Sequence, residues 1–287
     1  MTANGPTATL RLSCADQPGV VAAVSAFIAR NNGNIIHAEQ HTDAAAGIFF
    51  QRVEFQLEGF AMARDEIDAA FTPIATDLDL TWSLRFSDEV RRVAILCSRQ
   101  GHCLYDLLGR WDLGEMPGEL AMVVSNHDDH RDATERMGVP FHHLPVAKET
   151  KLEAEVEMLR LLEGAGVDVV VMARYMQILS EGFVARFPNR IINIHHSFLP
   201  AFPGGRPYHQ AHARGVKLIG VTAHYATSDL DEGPIIEQDV VRVSHRDPVT
   251  ELVRKGRDLE MVVLARAVRA HLCDKILVYG NKTVVFG

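Results

Sequence analysis

Val167-Asp168-Val169-Val170-Val171-Met172 and, further on, Arg190-Ile191-Ile192-Asn193-Ile194 are the stretches that decide the fold of this chain. Both are β-branched and almost wholly apolar, without the alternation of a strand that has one wet face. Each therefore predicts a buried strand. Working back, Val93-Ala94-Ile95-Leu96-Cys97-Ser98 is another apolar run, followed by Gly101 and a helix over residues 104–111. Residues 120–125 and 141–144 predict two more strands. Residues 150–162 form an amphipathic helix that ends in Gly164-Ala165-Gly166. Working forward, the pattern changes to strands over residues 218–225 and 235–243. A last helix then starts with Asp247 as cap and Pro248 in its first turn. Strands over 275–279 and 282–286 close the chain. This alternation predicts an α/β domain over residues 91–287 with a doubly wound, mainly parallel sheet. Ligands of such sheets bind at the carboxyl ends of the strands.

Residues 1–86 follow another plan, set off by the polar hinge Ser87-Asp88-Glu89. Thr7-Ala8-Thr9-Leu10-Arg11-Leu12-Ser13 alternates as a strand does, and Val20, Val24, Phe27 and Ile28 make a helical stripe. Asn31-Asn32-Gly33-Asn34 supplies a left-handed helix stop. Strands over 35–42 and 48–57, a helix over 61–71 and a strand over 79–86 complete a βαββαβ, ferredoxin-like unit. Asp16-Gln17-Pro18-Gly19-Val20 after the first strand, with Asn31 to Ile35 after the first helix, resembles an ACT domain. The resemblance implies a homo-oligomer, a dimer or tetramer, and an amino-acid effector. Asp16, Gly19, Val20 and Asn34 are the candidate effector residues, and the freed N–H groups near Gly19 suit a carboxylate. Plain turn chemistry accounts for the same glycines equally well.

Composition narrows the function. With 287 residues the chain is long enough for two ordinary domains. A hydrophobic share of 47% with 23% charged residues is that of a soluble globular protein. A formal charge of -8 argues against a nucleic-acid groove or an anionic membrane surface as partner. No apolar run reaches the roughly 20 residues of a spanning helix, and no signal-peptide pattern opens the chain. Cys14, Cys97, Cys103 and Cys273 include no Cys-x-x-Cys pair and predict reduced thiols in a cytoplasmic protein.

The loop Ser98-Arg99-Gln100-Gly101-His102 is not G-x-G-x-x-G, and neither G-x-x-x-x-G-K-[ST] nor G-x-S-x-G occurs. No permanently bound nucleotide cofactor is expected. Asn193 and His195 stand two apart at a strand end and so share a face. An amide donates to an oxygen that turns anionic, an imidazole moves protons, and a carboxylate such as Asp231 orients the imidazole or a water. On spacing alone a capped turn with a satisfied histidine is an equal account. His209 and His212, near His195 and His196, invite a metal reading. They lack the acidic partner of H-E-x-x-H, and no metal is expected. His127, His130, His142 and His143 read as loop surface and cleft lining.

The wider wording adds to this. Asn193-Ile194-His195-His196-Ser197-Phe198-Leu199-Pro200, Pro203-Gly204-Gly205-Arg206, Thr222-Ala223-His224 and Leu230-Asp231-Glu232-Gly233-Pro234 resemble the 10-formyltetrahydrofolate-using formyltransferase family. The resemblance implies Asn193, His195 and Asp231 as a catalytic triad and 10-formyltetrahydrofolate as the substrate. It also implies a folate pocket between Tyr175, Met176, Gln177, Ile178 and Leu179 on one side and His224, Thr227, Ser228, Asp229 and Leu230 on the other. Core packing is a second account of Met176, Ile178 and Leu179, and Arg206 suits either the folate's glutamate tail or a surface ion pair. Three features depart from the transferases: Glu232 where they carry glycine, His196 where they carry proline, and the missing phosphate loop. With the ACT-like unit, these imply the family's hydrolytic branch, which releases formate and tetrahydrofolate. Transfer to an amine acceptor is the alternative.

Overall fold

The structure is a computed structural model that describes residues 5–201 and 207–287. The Pro203-Gly204-Gly205 turn and Arg206 lie outside the described residues. The chain divides into two compact units. The first runs to Val90 and includes Asp274–Leu277 and Val284–Gly287; the second comprises Arg91–Cys273 and Val278–Thr283. The C-terminal stretch, read from sequence as part of a 91–287 domain, is thus shared out between the two.

In the first unit β1 (Thr7–Ala15), α1 (Val20–Arg30), β2 (Ile35–Asp43), β3 (Ile48–Gln56), α2 (Ile67–Asp77) and β4 (Thr81–Phe86) follow in βαββαβ order. The sheet is antiparallel throughout, in the order β2-β3-β1-β4. Alternation along β1 puts Leu10 and Leu12 in a core shared with Val24 and Ile28 of α1 and Phe71 of α2. The second helix differs from its expected span of 61–71. A single 3-10 turn, Arg64–Glu66, precedes it, and the helix continues through Pro73 to Asp77. Ile67, Phe71 and Ala75, four apart, are all buried, and that face outweighs the hydrogen bond Pro73 forgoes. On the polar face Arg52 Nε donates to the Asp274 carbonyl at 3.1 Å. Arg11 bonds the Ile276 carbonyl and pairs with Asp274.

The second unit contains β5 (Arg92–Cys97), α3 (His102–Asp112), β6 (Glu119–Ser125), α4 (Arg131–Arg136), β7 (Phe141–His143), α5 (Lys151–Gly164) and β8 (Val169–Ala173). Then come α6 (Glu181–Val184), β9 (Ile191–His195), α7 (Pro207–Arg214), β10 (Leu218–Tyr225), β11 (Ile235–Arg242) and α8 (Val249–Leu272). A hairpin, β12 (Ile276–Tyr279) and β13 (Lys282–Val285), ends the chain. The sheet order is β11-β10-β9-β8-β5-β6-β7. Strands β7, β6, β5, β8 and β9 are parallel; β10 and β11 are antiparallel additions. Ile95, Leu96, Val170, Val171, Ile191 and Ile192 are wholly buried, as strands covered on both faces require. The strand order reverses between β5 and β8, so a crevice is expected at their carboxyl ends.

Asp247 does not cap α8. Pro248, in extended conformation, takes that place, and Asp247 Oδ2 accepts from Ser244 N and Lys255 Nζ instead. Those bonds hold its carboxyl below the usual range.

Candidate active site

Strand parity sets the first two groups. Along β9, Asn193 and His195 share a face, and Asn193 is paired with Met172 on β8 and His224 on β10. The β10–β11 register shifts between Ala223 and His224, a bulge of the kind that re-aims a side chain. His224 Nδ1 lies 3.0 Å from the Tyr225 carbonyl, which only accepts, so Nδ1 carries the proton. Its Nε2 then accepts from Asn193 Nδ2 at 3.1 Å. Burial lowers the His224 pKa, which keeps the ring neutral at pH 7. The amide orientation of Asn193 follows, with one N–H left to donate.

Asp231 completes the cluster from the loop between β10 and β11. Its Oδ1 is 3.2 Å from His195 Nδ1. The hydrogen bond from His195 holds the Asp231 carboxyl below the ordinary carboxylate value, against the opposing effect of burial. His195 Nε2 is buried and has no hydrogen-bond partner among the described residues. Asp231 reaches this place with a left-handed backbone, φ 58°. Two residues on, a Cβ at Gly233 would stand 1.8 Å from the Tyr225 carbonyl oxygen, so only glycine lets the loop pack on β10. Beyond His195, the buried Thr222 hydroxyl ties down the next segment. It donates to the Ser197 carbonyl at 2.9 Å and accepts from Leu199 N at 3.0 Å and Gln238 Nε2 at 2.8 Å.

A cleft opens beside these groups. Asn193, His224 and Asp231 are in its wall, with Gln177, Ile178, Leu179, Thr227, Ser228, Asp229 and Leu230. The 174–180 segment is anchored at both ends. Met176 N donates to Ser98 Oγ at 3.0 Å, which in turn donates to Asn126 Oδ1 at 2.7 Å. Ser180 N donates to Glu155 Oε1 at 3.0 Å, and Ser180 Oγ caps α6 by accepting from Phe183 N. Tyr175 and Met176, expected at this pocket, are not among the residues that wall the cleft. Tyr175 packs into the core with Met158 and Phe183, and the Met176 side chain is 57% exposed.

Other expected groups separate as well. His209 and His212 are exposed on α7. His130 is buried rather than on a loop surface, with Nε2 on the Ser98 carbonyl at 3.0 Å and Nδ1 on Tyr105 Oη at 2.8 Å. A His102, Cys103 and Glu260 cluster has metal-like spacing. Its carboxylate is already engaged by His102 at 2.7 Å and Tyr208 at 2.8 Å, and burial keeps Cys103 a thiol. All four cysteines are free, and Cys97 lies in β5 while Cys103 lies in α3. The loop after β5 is filled, since a Cβ at Gly101 would meet His130 and Tyr105 at 2.7 Å. In the first unit Gly19 opens α1 with φ 94° and Asp16 is exposed beside it. Val20 belongs to the core, and Asn34 Nδ2 donates to Gln56 Oε1 at 2.8 Å.

The arrangement offers an amide donor, a carboxylate-oriented imidazole and an apolar cleft, a set suited to attack on a carbonyl. A formyl transferase family model matches residues 91–268, and an ACT domain model matches residues 8–69. A formyltetrahydrofolate deformylase of Synechocystis sp. is 59% identical over 280 residues, covering 98% of both chains. The chain belongs to the formyltetrahydrofolate deformylase family. A deformylase crystal structure from Pseudomonas syringae pv. tomato shares 49% identity and a TM-score of 0.97, over 99% of this chain and 96% of that one. Glycinamide ribonucleotide transformylase 1 from Symbiobacterium toebii, 33% identical with a TM-score of 0.67, is matched over 98% of its length but covers only 71% of this chain. Deformylase likeness thus runs through both units, whereas transferase likeness leaves more than a quarter of the chain unmatched.

Several residues around this cleft were not singled out from sequence. Val184 and Ala226 line the cleft, and Ser98, Asn126 and Glu155 hold its walls.

Proposed function

We propose that the protein hydrolyses 10-formyltetrahydrofolate to formate and tetrahydrofolate at Asn193, His195 and Asp231. The observation that carries this reading is their convergence. Asn193 and Asp231 stand in the wall of one cleft, and His195 lies 3.2 Å from the Asp231 carboxylate with its other nitrogen unpartnered among the described residues. The folate lies against residues 177–179 and 227–230, with its formyl group toward Asn193. Water held by Asp231 and His195 attacks the formyl carbon, forming the new C–O bond as its proton passes to His195. Asn193 and the protonated His195 stabilise the oxyanion. The C–N10 bond then breaks, N10 takes the proton through His195 or a relayed water, and formate leaves. The first unit serves as the oligomerisation and amino-acid-sensing part, and the buried free thiols Cys14, Cys97 and Cys103 suit a cytoplasmic home.

Purified protein incubated with 10-formyltetrahydrofolate, with and without amine acceptors, tests the reading. Formate and tetrahydrofolate appear in equal amounts, and added amines do not divert the formyl group. One oxyanion donor contributes roughly 3 kcal/mol, about a hundredfold in rate. Asn193→Ala and His195→Ala therefore fold but lose at least that much. Wild-type rates in both variants overturn the assignment.

A further inference from the structure

The turn of the last hairpin reaches the loop that carries Asp231. Asn281 Nδ2 donates to the Glu232 carbonyl at 2.7 Å, and Thr283 Oγ1 donates to the Ile235 carbonyl at 2.5 Å. Gly280, at φ 51°, makes that turn. Two side chains thus hold the two ends of the 232–235 segment. The segment begins directly after Asp231 and includes Gly233, which has no freedom to move toward Tyr225. Glu232 N meets the Asp229 carbonyl, though at a long 3.4 Å. The Asn281 bond is therefore the shorter of the two main-chain ties at residue 232. It reads the backbone and not the Glu232 side chain. Asp231, Glu232, Gly233 and Asn281 also wall one cavity with Leu199 and Pro200, and Leu230 and Asp231 line both this cavity and the cleft beside Asn193.

We propose that Asn281 is a positioning residue for the hydrolysis: by fixing the Glu232 carbonyl it keeps the Asp231 carboxylate within reach of His195 Nδ1. The inference rests on the hydrolytic reading above. Asp231 is a non-glycine residue in left-handed conformation, and such a residue stays there only when its neighbours hold it. Asn281 touches no reacting group and acts through the loop.

The test is Asn281→Leu and Asn281→Ala, both neutral and without a donor, with Thr283→Val as the comparison in the same hairpin. The groups facing Asp231 are His195 on β9, His224 on β10 and His196, with Asp229 and Glu232 on its own loop. A loosened loop weakens the His195 hydrogen bond that keeps the Asp231 carboxyl ionised, so the acid limb of kcat moves to higher pH. Both Asn281 variants are expected to lose about tenfold in kcat with KM changed less than twofold, and to show that shifted limb. Thr283→Val lowers Tm but leaves the limb in place. An unshifted limb, or equal kcat losses in all three variants, overturns the positioning role. If Asn281→Ala fails to fold, the isosteric leucine decides. A wild type that releases no formate sinks the hydrolytic reading first, and this inference with it; a wild type that hydrolyses beside unaltered Asn281 variants sinks this inference alone.

Discussion

His196 sits one residue past His195, its ring centroid 5.1 Å from that of His195 and 6.1 Å from that of Tyr208. Burial, with Arg174 nearby, pushes its pKa down to about 4. The sign of the consequence is fixed. Between pH 6.5 and about 4 the unfolded chain binds a proton at this histidine that the folded chain refuses, so stability falls as pH falls through that window. His224, also lowered by burial, adds to the same trend. Melting temperatures measured from pH 7 to 4 should decline for the wild type and decline less for His196→Gln. Equal slopes would remove His196 from the account. At this scale the shared face of Asn193 and His195 was legible, because a two-residue offset on a strand already fixes which side chains point the same way. Tyr175 was not, since whether a residue just past a strand end turns inward or toward a cleft depends on the left-handed Arg174 before it.

Among the elements, the buried strands were the most readable feature, because a run such as Val169 to Met172 has no face it could offer to water. Helix ends were harder. Pro73 signals a stop by itself, yet Ile67, Phe71 and Ala75 need the helix to bury them together. Asp247 has the right side chain for a cap, but Lys255, about two turns into the helix, competes for it. The loop from Thr227 to Pro234 owes its path to Gly233. Gly233→Ala would force a methyl group against the Tyr225 carbonyl and push Asp231 away from His195. The expected result is a loss of more than tenfold in kcat with far-UV circular dichroism unchanged. An alanine variant that turns over at the wild-type rate would show that the loop tolerates displacement.

For the whole molecule, the ferredoxin-like unit and the mainly parallel sheet both followed from periodicity, and the change of pattern near residue 90 marked where one gives way to the other. The assignment of the chain's end did not follow, because two short terminal strands carry no sign of which core they join. A binding screen of the twenty amino acids, by thermal shift on the full chain, addresses the effector reading at Asp16, Gly19, Val20 and Asn34. At least one should raise Tm, and Gly19→Ala, strained at φ 94°, should abolish the rise. No rise with any of them would leave the first unit without an amino-acid ligand.

The terminal hairpin gives the two units a shared inheritance. The chain leaves the first unit after Val90, returns at Asp274, passes into the second at Val278 and comes back at Val284. Removing residues 1–90 would strip Asp274 and Ile276 of Arg11 and Arg52, and trimming the chain after Cys273 would take Asn281 from the Asp231 loop. The last fourteen residues thus pass between the units more than once, and neither unit is one continuous stretch of sequence.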